Sequence, residues 1–166
     1  QLANDEVLIW ETIGNPDFLD PHVDQEDFGD WISYNVYETL YTYPWDSAVT
    51  DPDVPLLAES APVLTDGGRI ITIALREGVT FHDGSPFDSA SVVATVERMV
   101  KLVADGKTQN DGFFKSLTGA TAVDATTVQI TTAARDGVLP ARMYWLKMLP
   151  ASAKDVADLS DAPNGT

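Results

Sequence analysis

A chain of 166 residues with 44% apolar side chains can bury one sizeable core, and its length fits a single domain. It has no cysteine, which excludes disulfides, thiolate metal sites and a cysteine nucleophile, and no run of 18 apolar residues that would read as a membrane span. The formal charge of −16 is unevenly placed: residues 1–68 hold 15 acidic side chains and no Lys or Arg, while residues 69–166 hold 11 acidic against 10 basic ones.

Phosphate binding needs clustered Lys and Arg, so nucleic acid is excluded as a partner. The acidic excess reads either as a solvated face, suited to a salt-rich habitat, or as a field that draws cationic solutes toward a cleft.

In chain order, Val7–Thr12 is a largely apolar strand candidate of the kind buried inside an α/β lobe, and Gly14, Asn15 and Pro16 end it. Ligands of open α/β sheets collect beyond the carboxyl ends of strands, so Asn15 to Phe28 is the local candidate for a cleft. The alternative is an exposed acidic loop in which Asp30 caps the next helix. That helix is expected over Trp31–Leu40, with Ile32, Val36 and Leu40 spaced by four. Tyr37, Tyr41, Tyr43 and Trp45 then suggest an aromatic cluster, fit for a core or for stacking on a ligand. Asp46–Pro55 reads as a polar connection.

The best punctuated stretch comes next. Asp66, Gly67 and Gly68 turn a hairpin between Ala61–Thr65 and Arg69–Arg76, whose Ile71, Ile73 and Leu75 share one face. Val79–His82 reads as a short strand ending in the Asp83–Gly84 turn. Asp88 is an N-cap, and Val92, Val96, Met99, Val100 and Val103 form the apolar stripe of a helix ending near Asp105 and Gly106. Beyond the loop Thr108–Ser116, Gly119–Val123 and Thr127–Thr132 suggest a second hairpin with Val128 and Ile130 on its packed face. Ala141–Leu149 and Ser152–Leu159 read as short helices. The expected fold class is α/β (mixed α+β), a mixed sheet with packed helices.

Five ordered pieces carry a resemblance: Asn35–Glu38, Pro55–Glu59, Leu75–Arg76, Phe81–Gly84 and Val92–Arg98. Together they resemble the extracellular solute-binding proteins, family 5, that serve ABC importers of peptides, nickel, opines and related solutes. The resemblance implies the amino-terminal part of a two-lobed, type II periplasmic-binding-protein-like fold. Residues 1–44 would begin the ligand-binding lobe I and residues 45–166 form its accessory subdomain, the rest of lobe I and all of lobe II being absent.

Leu19, Asp20 and Pro21 resemble the family signature past the first strand. Residues a few positions beyond that signature contact ligand in peptide-binding relatives, which places Gln25, Glu26, Asp27 and Phe28, with Asn15, among the implied ligand contacts. Phe113 and Phe114 lie where such relatives bring an aromatic residue to the ligand; packing as a hydrophobic plug is the other reading.

The implied function is capture of a peptide or similar solute between two lobes and delivery to a membrane permease, with no bond chemistry and no cofactor. The implied protein is a monomer, periplasmic or extracellular, with or without a lipid anchor. Alternatives are an oligosaccharide, nickel-complex or opine binder of the same family, or a secreted hydrolase.

The residues themselves supply little for catalysis or metal. His22 and His82 stand apart in sequence, and His82 reads as a turn residue. Ser85 and Ser89 lack a nucleophile-elbow setting, and no phosphate-cradling glycine loop with a lysine is present.

Overall fold

The computed structural model describes residues 14, 16, 18–23, 27–44 and 54–159. The alternation after Arg69 becomes a strand that buries Ile71 and Ile73 and leaves Ile70, Thr72 and Ala74 half-buried. In chain order the elements are α1 (Asp27–Val36), β1 (Tyr41–Thr42), β2 (Val54–Pro55), β3 (Val63–Thr65), β4 (Ile70–Ala74), α2 (Ser89–Asp105), α3 (Asp111–Phe114), β5 (Leu117–Asp124), β6 (Thr127–Thr132) and α4 (Leu139–Arg142).

Four strands make a sheet in the order β3-β4-β6-β5, and β1 pairs with β2 separately. The turn between β3 and β4 runs through Asp66, Gly67 and Gly68, all at positive φ, which two glycines adopt without a Cβ clash. Register places Ile71 opposite Ile130 and Ile73 opposite Val128, so four branched side chains line one face. Each such burial stabilises the fold by about 1.5–3 kcal/mol. Every pairing among the described strands is antiparallel, so the mixed sheet expected from sequence shows no parallel component there. The candidate strand Val7–Thr12 lies outside the described residues, as do residues 46–53 of the expected connection.

Helix α2 covers the buried face. Its start is a capping box: the Ser91 N–H donates to the Asp88 carboxylate at 3.1 Å and the Asp88 N–H donates to Ser91 Oγ, also at 3.1 Å. Gly106, at φ +65°, closes the other end and donates to the carbonyls of Leu102 and Val103. Val92, Val96 and Met99 are wholly buried, whereas Val100 and Val103 sit at the margin. The same core takes in Leu40, Tyr41, Leu57, Phe114, Leu139, Met143 and Leu146. No described helix is long and apolar enough to cross a membrane.

Several local readings are corrected. Helix α1 starts at Asp27 and stops at Val36, so Asp30 lies inside it rather than capping it. Asp27 and Asp30 fall in its first turn, where the helix dipole favours negative charge. Leu40 lies beyond the helix because residues 39 and 40 pair elsewhere: Thr39 bridges Lys147, and the Leu40 carbonyl accepts from Leu56 and Ala58. Val79–His82 is not a strand; Thr80 and Pro86 make a single bridge around the Asp83–Gly84 turn.

Ala141–Leu149 is helical only to Arg142, since the Met148 N–H donates to the Glu38 carbonyl and holds the chain extended. Ser152–Leu159 keeps just a 3-10 turn over Ala151–Ala153; past it, Val156 and Leu159 bind a buried ion pair with their backbone.

Candidate functional site

The pairing of residues 38–39 with 147–148 sets two half-buried rings, Tyr144 and Trp145, beside Tyr34 of α1. Tyr34 stacks on Tyr144 with centroids 5.2 Å apart and planes at 24°, and it meets Trp145 edge-on at 6.4 Å. Tyr43, just past β1, meets Tyr144 edge-on at 4.5 Å. Phe113 of α3 stacks on Trp145 at 5.7 Å and 22°. Five rings from four stretches of chain thus form one continuous, half-buried wall.

Lys147 stands behind the wall, its ammonium 4.1 Å from the Tyr34 ring centre and 5.6 Å from that of Trp145. Its Nζ donates to Asp30 Oδ1 at 2.8 Å; the lysine is 1% exposed and the aspartate 15%. Burial pulls the Lys147 ammonium below the ordinary lysine range, and the Asp30 carboxylate opposes that pull. Burial also pushes the Tyr34 hydroxyl well above a free phenol, so the ring stays neutral. Arg142, at the end of α4, pairs with Asp136 at 3.2 Å and donates to the Phe113 carbonyl, fixing α3 against α4.

A second polar junction supports the first. Asp20 is buried and meets Arg98 of α2 through both oxygens, Nη1 to Oδ1 at 3.1 Å and Nη2 to Oδ2. The backbone N–H groups of His22 and Leu159 donate to the same carboxylate, and the guanidinium also donates to the Val156 carbonyl. With both oxygens occupied twice, this is a structural joint that leaves no capacity for a solute. His22 links the two junctions: its Nε2–H donates to the Lys147 carbonyl at 2.8 Å. Burial, then the Arg98 charge, lowers its pKa to about 4, which keeps the ring neutral.

The residues singled out in sequence fare unevenly. Asn15, Gln25 and Glu26 lie outside the described residues; Asp27 and Phe28 open α1, and their side chains are outside the described set as well. Phe113 belongs to the wall. Phe114 takes the other reading, that of a hydrophobic plug: it is wholly buried in the main core, edge-on to Phe113. The run Tyr37, Tyr41, Tyr43 and Trp45 is not one cluster. Tyr37 packs with Leu149, Ala153 and Leu159, Tyr41 joins the main core, Tyr43 joins the wall and Trp45 lies outside the described residues.

Sequence reasoning missed Tyr34, Tyr144, Trp145 and Lys147, which meet partners on other, distant stretches of the chain (Tyr34 with Tyr144, Trp145 with Phe113, Lys147 with Asp30) and carry no shared local period. Arg98 had a usable signal, because it falls beside Met99 on a helix face that is otherwise buried. Among the described residues no group of three or more His, Cys, Asp or Glu could hold a metal ion.

An α/β unit of this kind, with a helix-covered sheet, is a part of the type II periplasmic-binding-protein fold, and solved structures of that class match it. The PBP AgaA from A. tumefacien, solved with agropinic acid, matches 92% of this chain and 30% of its own at a TM-score of 0.78 and 26% identity. AppA from Bacillus subtilis, solved with a nonapeptide, matches 93% of this chain and 31% of its own at 0.77 and 22% identity, and so shows the fold alone.

Residues 54–166 match the family model of bacterial extracellular solute-binding proteins, family 5 Middle, and the chain belongs to that family. It is similar to the glutathione-binding protein GsiB of Salmonella paratyphi A, 32% identical over 113 residues that make up 68% of this chain and 21% of that one. The chain therefore spans about a fifth of the length of the curated relatives it matches. Members of the family are extracellular or periplasmic transport proteins rather than enzymes.

Proposed function

We propose that this protein is the substrate-binding component of an ABC importer. It captures a short peptide or similar small solute between two lobes, on the periplasmic or extracellular side, and hands it to a membrane permease as a monomer. The observation that carries this reading is the five-ring wall of Tyr34, Tyr43, Phe113, Tyr144 and Trp145, set by two buried ion pairs in a chain of a solute-binding family. Such a wall offers rigid apolar faces at low entropic cost.

In this reading, residues 1–44 begin the ligand-binding lobe and residues 45–166 form its accessory subdomain. Asn15, Gln25, Glu26, Asp27 and Phe28 supply contacts at the rim, with Phe113 at the wall; Phe114 plays no part. The names of similar proteins support small polar solutes, with glutathione, agropinic acid and a nonapeptide among them. Closure results from contacts that the solute makes only when both lobes meet.

The test is native mass spectrometry of gently purified full-length protein, with fragmentation of whatever co-purifies. A ladder of short-peptide masses is the expected result. Sugar or opine masses would keep the transport role and replace the cargo, whereas a bare protein that hydrolyses a panel of glycosides would overturn the reading.

A further inference from the structure

We infer that the aromatic wall selects an uncharged aromatic side chain of the bound solute and turns carboxylate side chains away. This rests on the peptide reading above and adds to it the chemistry of the group received at this wall.

Lys147 and Arg142, the cations held against the ring-bearing segments, are already matched. Lys147 is ion-paired to Asp30 at 2.8 Å and lies over the Tyr34 face, so its ammonium is closed on both counts. Arg142 is held by the Asp136 carboxylate and the Phe113 carbonyl. Asp136 in turn accepts from Ser116 Oγ and from the N–H groups of Val138 and Leu139. These two pairs therefore add no net charge behind the rings, although the chain as a whole is at −16.

A carboxylate laid against the wall loses water, gains no counter-ion and meets the negative faces of the rings, which is unfavourable, whereas an ammonium recovers part of its lost hydration from those faces, as Lys147 does from Tyr34. A guest ring instead continues the offset and edge-on packing that the five rings already use among themselves. Phe113 and Trp145, stacked and half-buried at one end of the series, are the surface on which a sixth ring extends it.

Titration calorimetry on the full-length protein with four tripeptide probes tests this: Ala-Ala-Ala, Ala-Phe-Ala, Ala-Glu-Ala and Ala-Lys-Ala. The expected ranking has Ala-Phe-Ala tightest, roughly three- to ten-fold ahead of Ala-Ala-Ala, as one added ring contact provides, with Ala-Lys-Ala behind Ala-Phe-Ala and Ala-Glu-Ala weakest. In Phe113→Leu, which keeps apolar volume and removes a ring, and in Trp145→Ala, that advantage falls toward unity; Trp145→Phe restores most of it.

Near-UV circular dichroism checks that each variant is folded, and Phe113→Leu carries the test if Trp145→Ala is not. Tripeptide binding with Ala-Glu-Ala or Ala-Lys-Ala preferred over Ala-Phe-Ala, or with the Phe advantage intact in Phe113→Leu, overturns the inference and leaves the peptide reading standing. No binding of any probe overturns both.

Discussion

Arg98 and Lys147 are both almost wholly buried, and each meets an aspartate from the acidic first part of the chain, but the two junctions are built differently. Arg98 presents a planar fork to both oxygens of Asp20, and two backbone N–H groups complete that carboxylate. The pair is 2% and 0% exposed and joins α2 to residues 20–22 on one side and to Val156 and Leu159 on the other. Lys147 brings a point charge to one oxygen of Asp30 and rests the remainder on ring faces, and its partner keeps 15% exposure. A fork matched bidentately makes a rigid joint; a point charge under aromatic rings leaves a surface that a solute can meet.

The largest expected effect separates the two. Arg98→Met strands the buried Asp20 carboxylate and should lower unfolding free energy by about 3–5 kcal/mol, read from urea denaturation. Lys147→Met should cost less, about 1–2 kcal/mol, because Asp30 is within reach of water and keeps its solvation. Equal losses in the two variants would mean that the contrast in burial has no energetic counterpart.

His22 touches both junctions and makes the comparison pH-dependent. Its folded pKa of about 4 lies below the free value of 6.5, so the unfolded chain takes up a proton first. Its contribution to stability is therefore complete above pH 6.5 and is lost as pH falls through about 4, to a total of about 3 kcal/mol. Urea midpoints at pH 7.5 and 4.5 should draw together in His22→Gln relative to the parent. An unchanged difference would show that carboxylates elsewhere, and not this ring, govern the acid limb.

Local signals in the sequence foretell local structure well. The Asp66–Gly68 turn, the alternation around Ile71 and Ile73, the Asp88 cap and the Gly106 stop each depend on neighbours within a few residues, and all appear as expected. Asp88→Ala, which removes one arm of the capping box, should accordingly cost about 1 kcal/mol in the same denaturation assay. Where a distant strand supplied the partner, reading by period failed. Residues 143–149 have the composition of a helix, yet only turn-like bonds continue through Leu146, and Lys147 and Met148 pair with residues 39 and 38, which no period within the segment records. The aromatic wall failed for a related reason. Adjacency grouped Tyr37, Tyr41, Tyr43 and Trp45, whereas the fold gathers rings from positions 34, 43, 113, 144 and 145, and only Tyr43 is common to both.

A third ion pair sets the lower end of the scale. Arg69 and Asp66 meet at 2.7 Å in the turn before β4, but their side chains are 52% and 50% exposed. Water solvates both partners there whether or not they touch, and salt screens what attraction remains. Arg69→Gln keeps the backbone carbonyl that receives the Thr132 N–H, so the strand pairing is undisturbed. The expected loss is under about 0.5 kcal/mol, vanishing in about 1 M NaCl. Arg98→Met should instead keep nearly all of its penalty at that salt, because the Asp20 junction lies out of reach of counter-ions. A penalty for Arg98→Met that shrinks with salt as the Arg69→Gln penalty does would show that the Asp20 junction opens to solvent in solution.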